Sequence, residues 1–119
     1  RQSQIGRLGN RQDRDPQQSL VKIEILDEAQ EDLIEGFRFY ESIEAGSGSY
    51  FLDCLFSDID SLLLFAGIHQ IVYGYHRSLS KRFPFAIYYD IASEQIRVHA
   101  VLDCRRNPSW IRNRLTGQG

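Results

Sequence analysis

The apolar residues of this chain change period part-way along, and that change limits the possible folds more than any other feature. Between residues 29 and 63 they recur at helical spacing; from residue 75 they alternate in the two-residue rhythm of strands. Ala29, Leu33, Phe37 and Tyr40 fall on one helical stripe, and Leu52, Leu55, Phe56, Ile59, Leu62 and Leu63 on another. Gly46, Ser47, Gly48 and Ser49 stand between the two. Four such residues make a turn rather than a domain linker, so the pattern predicts an antiparallel helical hairpin. Its joint apolar face needs a second layer to cover.

The second layer comes from the alternating segments. Residues 75–80, 85–91 and 96–102 read as strands, broken by Phe83-Pro84 and Ser93-Glu94, and residues 20–26 alternate Val21, Ile23 and Ile25 against Lys22 and Glu24 as a further strand. Asp27 is placed to N-cap the first helix, with Gln30 completing a capping box, and that helix is expected to run to about Ile43. Asn107-Pro108 ends the last strand and opens a short helix over 109–115. The expected class is α+β: an N-terminal strand, a helical hairpin packed through Leu33, Phe37, Leu55, Ile59 and Leu62 on a small antiparallel sheet, and a short C-terminal helix. With 119 residues the chain is the size of one domain. Residues 1–19 hold only Ile5 and Leu8 as large apolar groups and read as a flexible tail, leaving 20–119 as the folded domain.

Charge is distributed unevenly. Residues 1–19 carry +2, residues 20–70 carry −9, and residues 71–119 carry +5, within a net charge of −2. Either the fold presents an acidic and a basic face, the latter meeting an anionic or acidic partner, or it interleaves the halves and the field averages out. No apolar run approaches the ~20 residues of a membrane helix, and no charged-then-apolar leader is legible, so a cytoplasmic protein without a membrane partner is expected. Cys54 and Cys104 are too few for a disulfide scaffold and too isolated for a metal motif, consistent with a reducing compartment. His69 and His76 have no carboxylate or thiol at metal-ligand spacing. No metal or cofactor is expected.

Five separated motifs carry a family resemblance. Asp32-Leu33 in the first helix, Phe39-Tyr40 before the glycine-containing turn and Phe51-Leu52 in the second helix are followed by Arg77, by Arg82-Phe83-Pro84-Phe85-Ala86-Ile87-Tyr88-Tyr89, by Val98 to Val101, and by Arg105-Arg106-Asn107-Pro108-Ser109-Trp110 with Arg114 beyond. Together they resemble the RelE/ParE superfamily of toxins from bacterial type II toxin-antitoxin (plasmid stabilisation) systems, and the later run is similar to the ParE branch, with Asp103 where that branch prefers His. The resemblance spans residues 20–115, which leaves 1–19 as an extra. It implies a toxin silenced by a cognate antitoxin protein. In the ParE branch, which is not known as an enzyme, the target is DNA gyrase and catalytic residues are unknown; in the RelE branch it is ribosome-bound messenger RNA, which is cut. A third alternative is a solitary, non-toxic binding module of the same fold.

RNA cleavage needs a base for the 2′-hydroxyl and cations around the phosphate. The ribonuclease branch has an Arg where this chain has Ala86, and an aromatic hydroxyl past the basic pair where this chain has Trp110 and Ile111. Those departures, with a sequence pI near 5.9, favour the gyrase-directed reading. The candidate target- or antitoxin-contacting residues are Arg77, Lys81, Arg82, Arg105, Arg106 and Trp110. Arg77, Lys81 and Arg82 form either a basic patch or a solvated sheet edge. Of Arg105 and Arg106, one is expected to pair with a hairpin acid while the other projects to solvent on a sheet face left open for the antitoxin. Tyr88 and Tyr89 should divide between core and open face. His99 should share a face with Arg97 and Val101, Cys54 should point away from the helix's apolar side, and Cys104, beside two arginines, is a candidate for a lowered thiol pKa.

Overall fold

The computed structural model describes residues 21–117; the tail expected over 1–19 lies outside the described residues. The elements are β1 (Lys22–Ile25), α1 (Asp27–Ile43), α2 (Ser47–Asp60), α3 (Leu62–Phe65), β2 (Ile71–Val72), β3 (Tyr75–Leu79), β4 (Phe85–Ala92), β5 (Gln95–Asp103) and α4 (Pro108–Thr116). The fold is α+β, with one five-stranded sheet in the order β1-β5-β4-β3-β2.

The sheet is mixed rather than wholly antiparallel. Strand β1 runs parallel to β5, with Ile23 beside Ile96 and Ile25 beside Val98, because α1 and α2 carry the chain across the sheet before it returns. The other pairings are antiparallel. Strand β2 was not anticipated: two residues are too short a run for alternation to register. It is closed onto β3 by a turn in which Tyr73 and Gly74 both take positive φ, as a tight two-residue hairpin requires.

The helical hairpin packs on one face of the sheet. Ala29, Leu33, Phe51, Leu55, Ile59 and Leu62 meet Phe85, Ile87, Tyr89, Ile96, Val98 and Val101 in one core. Phe37, expected in that layer, is displaced. Beside Phe37 it is Gly36 that α1 turns to the buried side, where a Cβ would fall 2.5 Å from the Phe51 ring, and Phe37 instead covers Gly48, where a Cβ would fall 2.7 Å from its ring and from its backbone carbonyl. The two glycines let α1 and α2 approach closely. They also explain why α2 begins at Ser47 rather than after a Gly/Ser turn: Gly48 is a contact, not a loop residue. This phasing turns Phe56 and Leu63 outward and brings Phe51 in. Cys54 likewise packs half-buried against the core instead of pointing away.

Helix starts also differ from expectation. Asp27 lies inside α1, the N-cap is Leu26 without a side-chain bond, and Gln30 donates to the Ile25 carbonyl instead of closing a capping box. The start of α2 is capped from the preceding helix, where the Glu41 carboxylate accepts from the Gly46 and Gly48 N–H groups at 3.0 and 2.9 Å. At α4 the expectation holds: Asn107 Oδ1 accepts from the Ser109 N–H at 2.8 Å, with Pro108 in the first turn.

The second face of the sheet is not open. Helix α4 lies on it, and Leu115 and Ile111 join Ala86, Tyr88, Ala100 and Leu102 in a second cluster. Both tyrosines are therefore buried, Tyr89 under the hairpin and Tyr88 under α4. A β-bulge supports this double layer. Tyr88 pairs with Ala100 and Tyr89 with Val98, so His99 is an extra residue in β5. Val101 thereby faces the hairpin core, opposite to the face it was expected to share with His99 and Arg97.

Replacing Gly48 by Ala should destabilise the protein by about 1–3 kcal/mol, because the added methyl meets backbone that cannot move aside. Urea unfolding should show a lowered midpoint; an unchanged midpoint would mean that the hairpin is not packed this closely.

Candidate functional site

Asp32 is a carboxylate on the buried side of α1, 8% exposed. Its Oδ2 accepts the Val101 N–H at 2.9 Å, and Arg114 of α4 reaches both oxygens, at 2.9 and 2.8 Å. The Val101 amide needs this partner because β1 turns into α1 after Ile25, so β5 has no neighbouring strand on that side beyond Val98. Burial pushes the Asp32 carboxyl above its ordinary value, and Arg114 and the Val101 N–H pull against that; the groups that bond it are all donors, which only the carboxylate satisfies. Arg114 is held cationic by the same contact. One side chain thus ties the hairpin, the central strand and the C-terminal helix together.

Above this junction, between α1, the end of β5 and α4, lies a groove of about 250 Å³. Gly36, Phe85 and Val101 line its apolar part, Phe39 and Trp110 flank it, and Glu35, Asp103 and Arg106 bring charge to it. Phe39 and Trp110 are 52% and 37% exposed, large aromatic surfaces left in water at the lip of a concavity. The Arg106 guanidinium stacks on Trp110 at 3.8 Å from the ring centroid. Its contact with Glu35 is loose, at 3.8 Å.

Arg105 does not project freely to solvent. It makes a bidentate pair with Asp103, at 2.9 and 2.7 Å, and its Nη2 also lies 3.4 Å from the Tyr40 hydroxyl. The Arg105 bonds hold the Asp103 carboxyl below its ordinary range. Of the adjacent pair, Arg106 is the one that meets a hairpin acid, and it is also the one that borders the groove.

The other candidate cations lie elsewhere. Lys81 and Arg82 border a second depression, with Asp53, Cys54, Ser57 and Asp58 of α2. There the buried Asp58 carboxylate accepts from the Ser80 hydroxyl at 2.6 Å and from the Lys81 N–H at 3.2 Å, pinning the β3–β4 loop to the hairpin. Arg77 sits on β3 opposite Tyr88, on the α4 side of the sheet. The three do not form a single patch. Arg77, Lys81, Arg82 and Arg112 have no carboxylate within 4 Å among the described residues, while Arg97, Arg105, Arg106 and Arg114 all do. The acidic and basic segments of the chain are therefore partly interleaved along the seam of α1 and α4.

Cys104 is not activated by its neighbours: burial pushes its thiol up, against the opposing pull of Arg77 and Arg105. His99 bonds Asp90 at 3.0 Å beside a bidentate Arg97 contact with both bonds at 2.9 Å. Burial alone would raise the Asp90 carboxyl; the hydrogen bonds from Arg97 and His99 outweigh it and hold it below its ordinary value. Among the described residues, no three His, Cys, Asp or Glu side chains come together as a metal site. Sequence reasoning passed over Asp32 and Phe39 as site residues. The available signal was an acid at position 32 beside the apolar stripe of Ala29 and Leu33, a place where a carboxylate needs a buried partner.

Asp32→Asn should cost about 1–3 kcal/mol in chemical unfolding, as expected for a buried network that loses an acceptor, and should raise amide exchange at Val101 and in α4 before other regions. For Asp90, the folded carboxyl titrates below its ordinary value, so its contribution is complete above the ordinary carboxylate range and is lost as pH falls through the lowered value. The thermal midpoint of Asp90→Asn should accordingly decline less steeply in acid than that of the parent; equal slopes would count against the Arg97–Asp90–His99 cluster as a stabilising unit.

No family model matches the chain, and no curated protein matches its sequence. Its fold is similar to that of a solved chain from the chromosomal ParDE TA system of P. aeruginosa, with a TM-score of 0.63 over 69% of this chain and 94% of that one, at 15% sequence identity. At that identity the likeness is one of fold.

Proposed function

We propose that this protein is the toxin component of a bacterial type II toxin-antitoxin pair, neutralised by a cognate antitoxin, and that it acts by binding DNA gyrase rather than by cutting RNA. The observation that carries the reading is the fold shared with a chain of a ParDE system, joined to the ParE-like order of motifs from Arg77 to Trp110. The position that bears a phosphate-facing Arg in the ribonuclease branch is Ala86, which is 0% exposed beneath α4. A cation there could not reach a phosphate without displacing that helix. The groove supports binding rather than bond cleavage: it offers two aromatic side chains and a stacked arginine, and the acid nearest its floor, Asp32, is already committed to Arg114.

The antitoxin is assigned to this groove. An amphipathic segment would lay apolar side chains against Phe39, Phe85 and Trp110 and offer an acid to Arg106 in place of the loosely held Glu35. Arg77, Lys81 and Arg82, without carboxylate partners in the described fold, would serve as the outer field that steers an acidic partner.

Induced expression in a bacterium tests the target. Filamentation with DNA damage, relieved by coexpression of the antitoxin, is expected. Prompt loss of translation with codon-specific message cleavage would replace this reading with the ribonuclease one, and normal growth would replace it with a non-toxic binding module. With purified proteins, Arg106→Glu should slow association with the antitoxin at low salt, by about tenfold or more, and leave the free energy of unfolding within ~0.5 kcal/mol of the parent.

A further inference from the structure

The longest uncharged run of the described chain is residues 61–76, sixteen positions without Asp, Glu, Lys or Arg between Asp60 and Arg77. It forms α3, the following loop, β2 and the start of β3. Leu63, Leu64, Phe65, Ile68, Ile71 and Tyr73 within it are 52%, 80%, 49%, 73%, 60% and 46% exposed. Surface of this kind on a frayed loop would carry little meaning, but this segment is held from below. The Tyr89 hydroxyl, on a side chain that is itself 0% exposed, accepts the Gly67 N–H at 2.9 Å and bonds His69 Nδ1. His76 stacks on the Tyr89 ring and bonds the His69 carbonyl at 2.8 Å, and the Arg77 N–H bonds the Gln70 carbonyl at 2.9 Å. His69 and His76 turn inward onto Tyr89, and Leu62 is buried in the core, while the six large apolar side chains named above stay in water.

We infer that this face is the interface of a two-fold homodimer formed by side-by-side β2 strands, with Ile68 and Ile71 of each copy packed near the axis. Charge selects a second copy as the occupant. At a two-fold axis a surface meets itself, so every charge near the axis meets its like; a sixteen-residue run without formal charge avoids that repulsion. The groove beside Trp110, with Glu35, Asp103 and Arg106, is by contrast built for a partner of different sequence. Strand β2 is one of the two edge strands of the sheet and, unlike β1 with its Lys22, carries neither Lys nor Pro, the residues that usually keep an edge from pairing. Area agrees. Six large side chains at these exposures place on the order of 600 Å² of mostly apolar surface in water, and with the backbone of the edge this approaches the ~800 Å² per partner of a standard interface.

Sedimentation equilibrium on the full chain tests this inference. The wild type should pass from 13.8 kDa to twice that mass with a dissociation constant in the micromolar range. Ile71→Lys sets two like charges against each other at the axis and should weaken association on the order of 100-fold, with circular dichroism unchanged and an unfolding midpoint that matches the wild type at concentrations where both are monomeric. Ile43→Lys, at the far end of α1 and 65% exposed, should dimerise like the wild type. A wild type that stays monomeric at about 100 µM, open-ended aggregation without a dimer plateau, or an Ile71→Lys variant that dimerises normally would each overturn the inference. So would a monomer that covers this face only when its antitoxin is added. These outcomes are read on mass alone and are independent of toxicity.

Discussion

The structure depends on a carboxylate buried where three elements meet. Without Asp32, the Val101 amide would be an unpaired donor in the interior and Arg114 would keep only its longer contacts with Glu28. Both needs arise from one feature of the topology: β1 is only four residues long, so the parallel pairing with β5 ends at Val98 while β5 continues to Asp103. A longer β1 would supply backbone partners to β5 and remove the need for an acid in α1, but it would also close the space that the groove occupies. The groove exists because a side chain, not a strand, completes the edge of β5.

The same junction accounts for how an unequally charged chain settles. Arg114 is drawn inward to Asp32 and Glu28, Arg106 lies against Glu35, and Arg105 and Arg97 are held by acids within their own third of the sequence. What is left for long-range attraction is a small set near the β3–β4 loop and in α4. The exposed pairs among these, Arg105–Asp103 and Arg106–Glu35, add little stability. Their effect is to fix where the field is spent and where it remains.

Much of the fold was legible in the sequence because it rests on periodicity. The helical stripe of α1, the alternation of β1, β4 and β5, and the Asn107-Pro108 start of α4 are local signals, and each element lies where its signal stands. What was not legible rests on contacts between distant residues. Gly48 reads as a turn residue until Phe37 is seen against it, and the rotation of α2 that buries Phe51 follows from that contact. The cover of α4 over Ala86 and Tyr88 was hidden because residues 108–116 show only a weak apolar face. At the candidate site the sequence supplied Arg105, Arg106 and Trp110 as neighbours in number, but not that Arg105 is spent on Asp103 while Arg106 lies over the indole ring. Phe39 and Asp32 come to the same groove from a helix some seventy positions away, a proximity no spacing encodes.

The bulge at His99 has a consequence for how this chain can vary. Before it, Ile96 and Val98 serve the hairpin core; after it, Val101 serves that core while Ala100 and Leu102 serve the layer beneath α4. One residue therefore sets the phase between the two interiors. Loss or gain of a single position here would exchange the tenants of both layers for the whole C-terminal third, carrying Leu102 towards the hairpin and Val101 towards α4, and would lift the Val101 amide away from Asp32. A length change at the Ser93-Glu94 turn, by comparison, leaves both interiors in phase and disturbs one backbone bond, from the Lys22 N–H to the Glu94 carbonyl. Descendants of this sequence should thus be free to lengthen at residues 93–94 and be fixed in length between Val98 and Val101, so that the spacing of these two valines is an inherited measure of the fold even where every other residue has drifted.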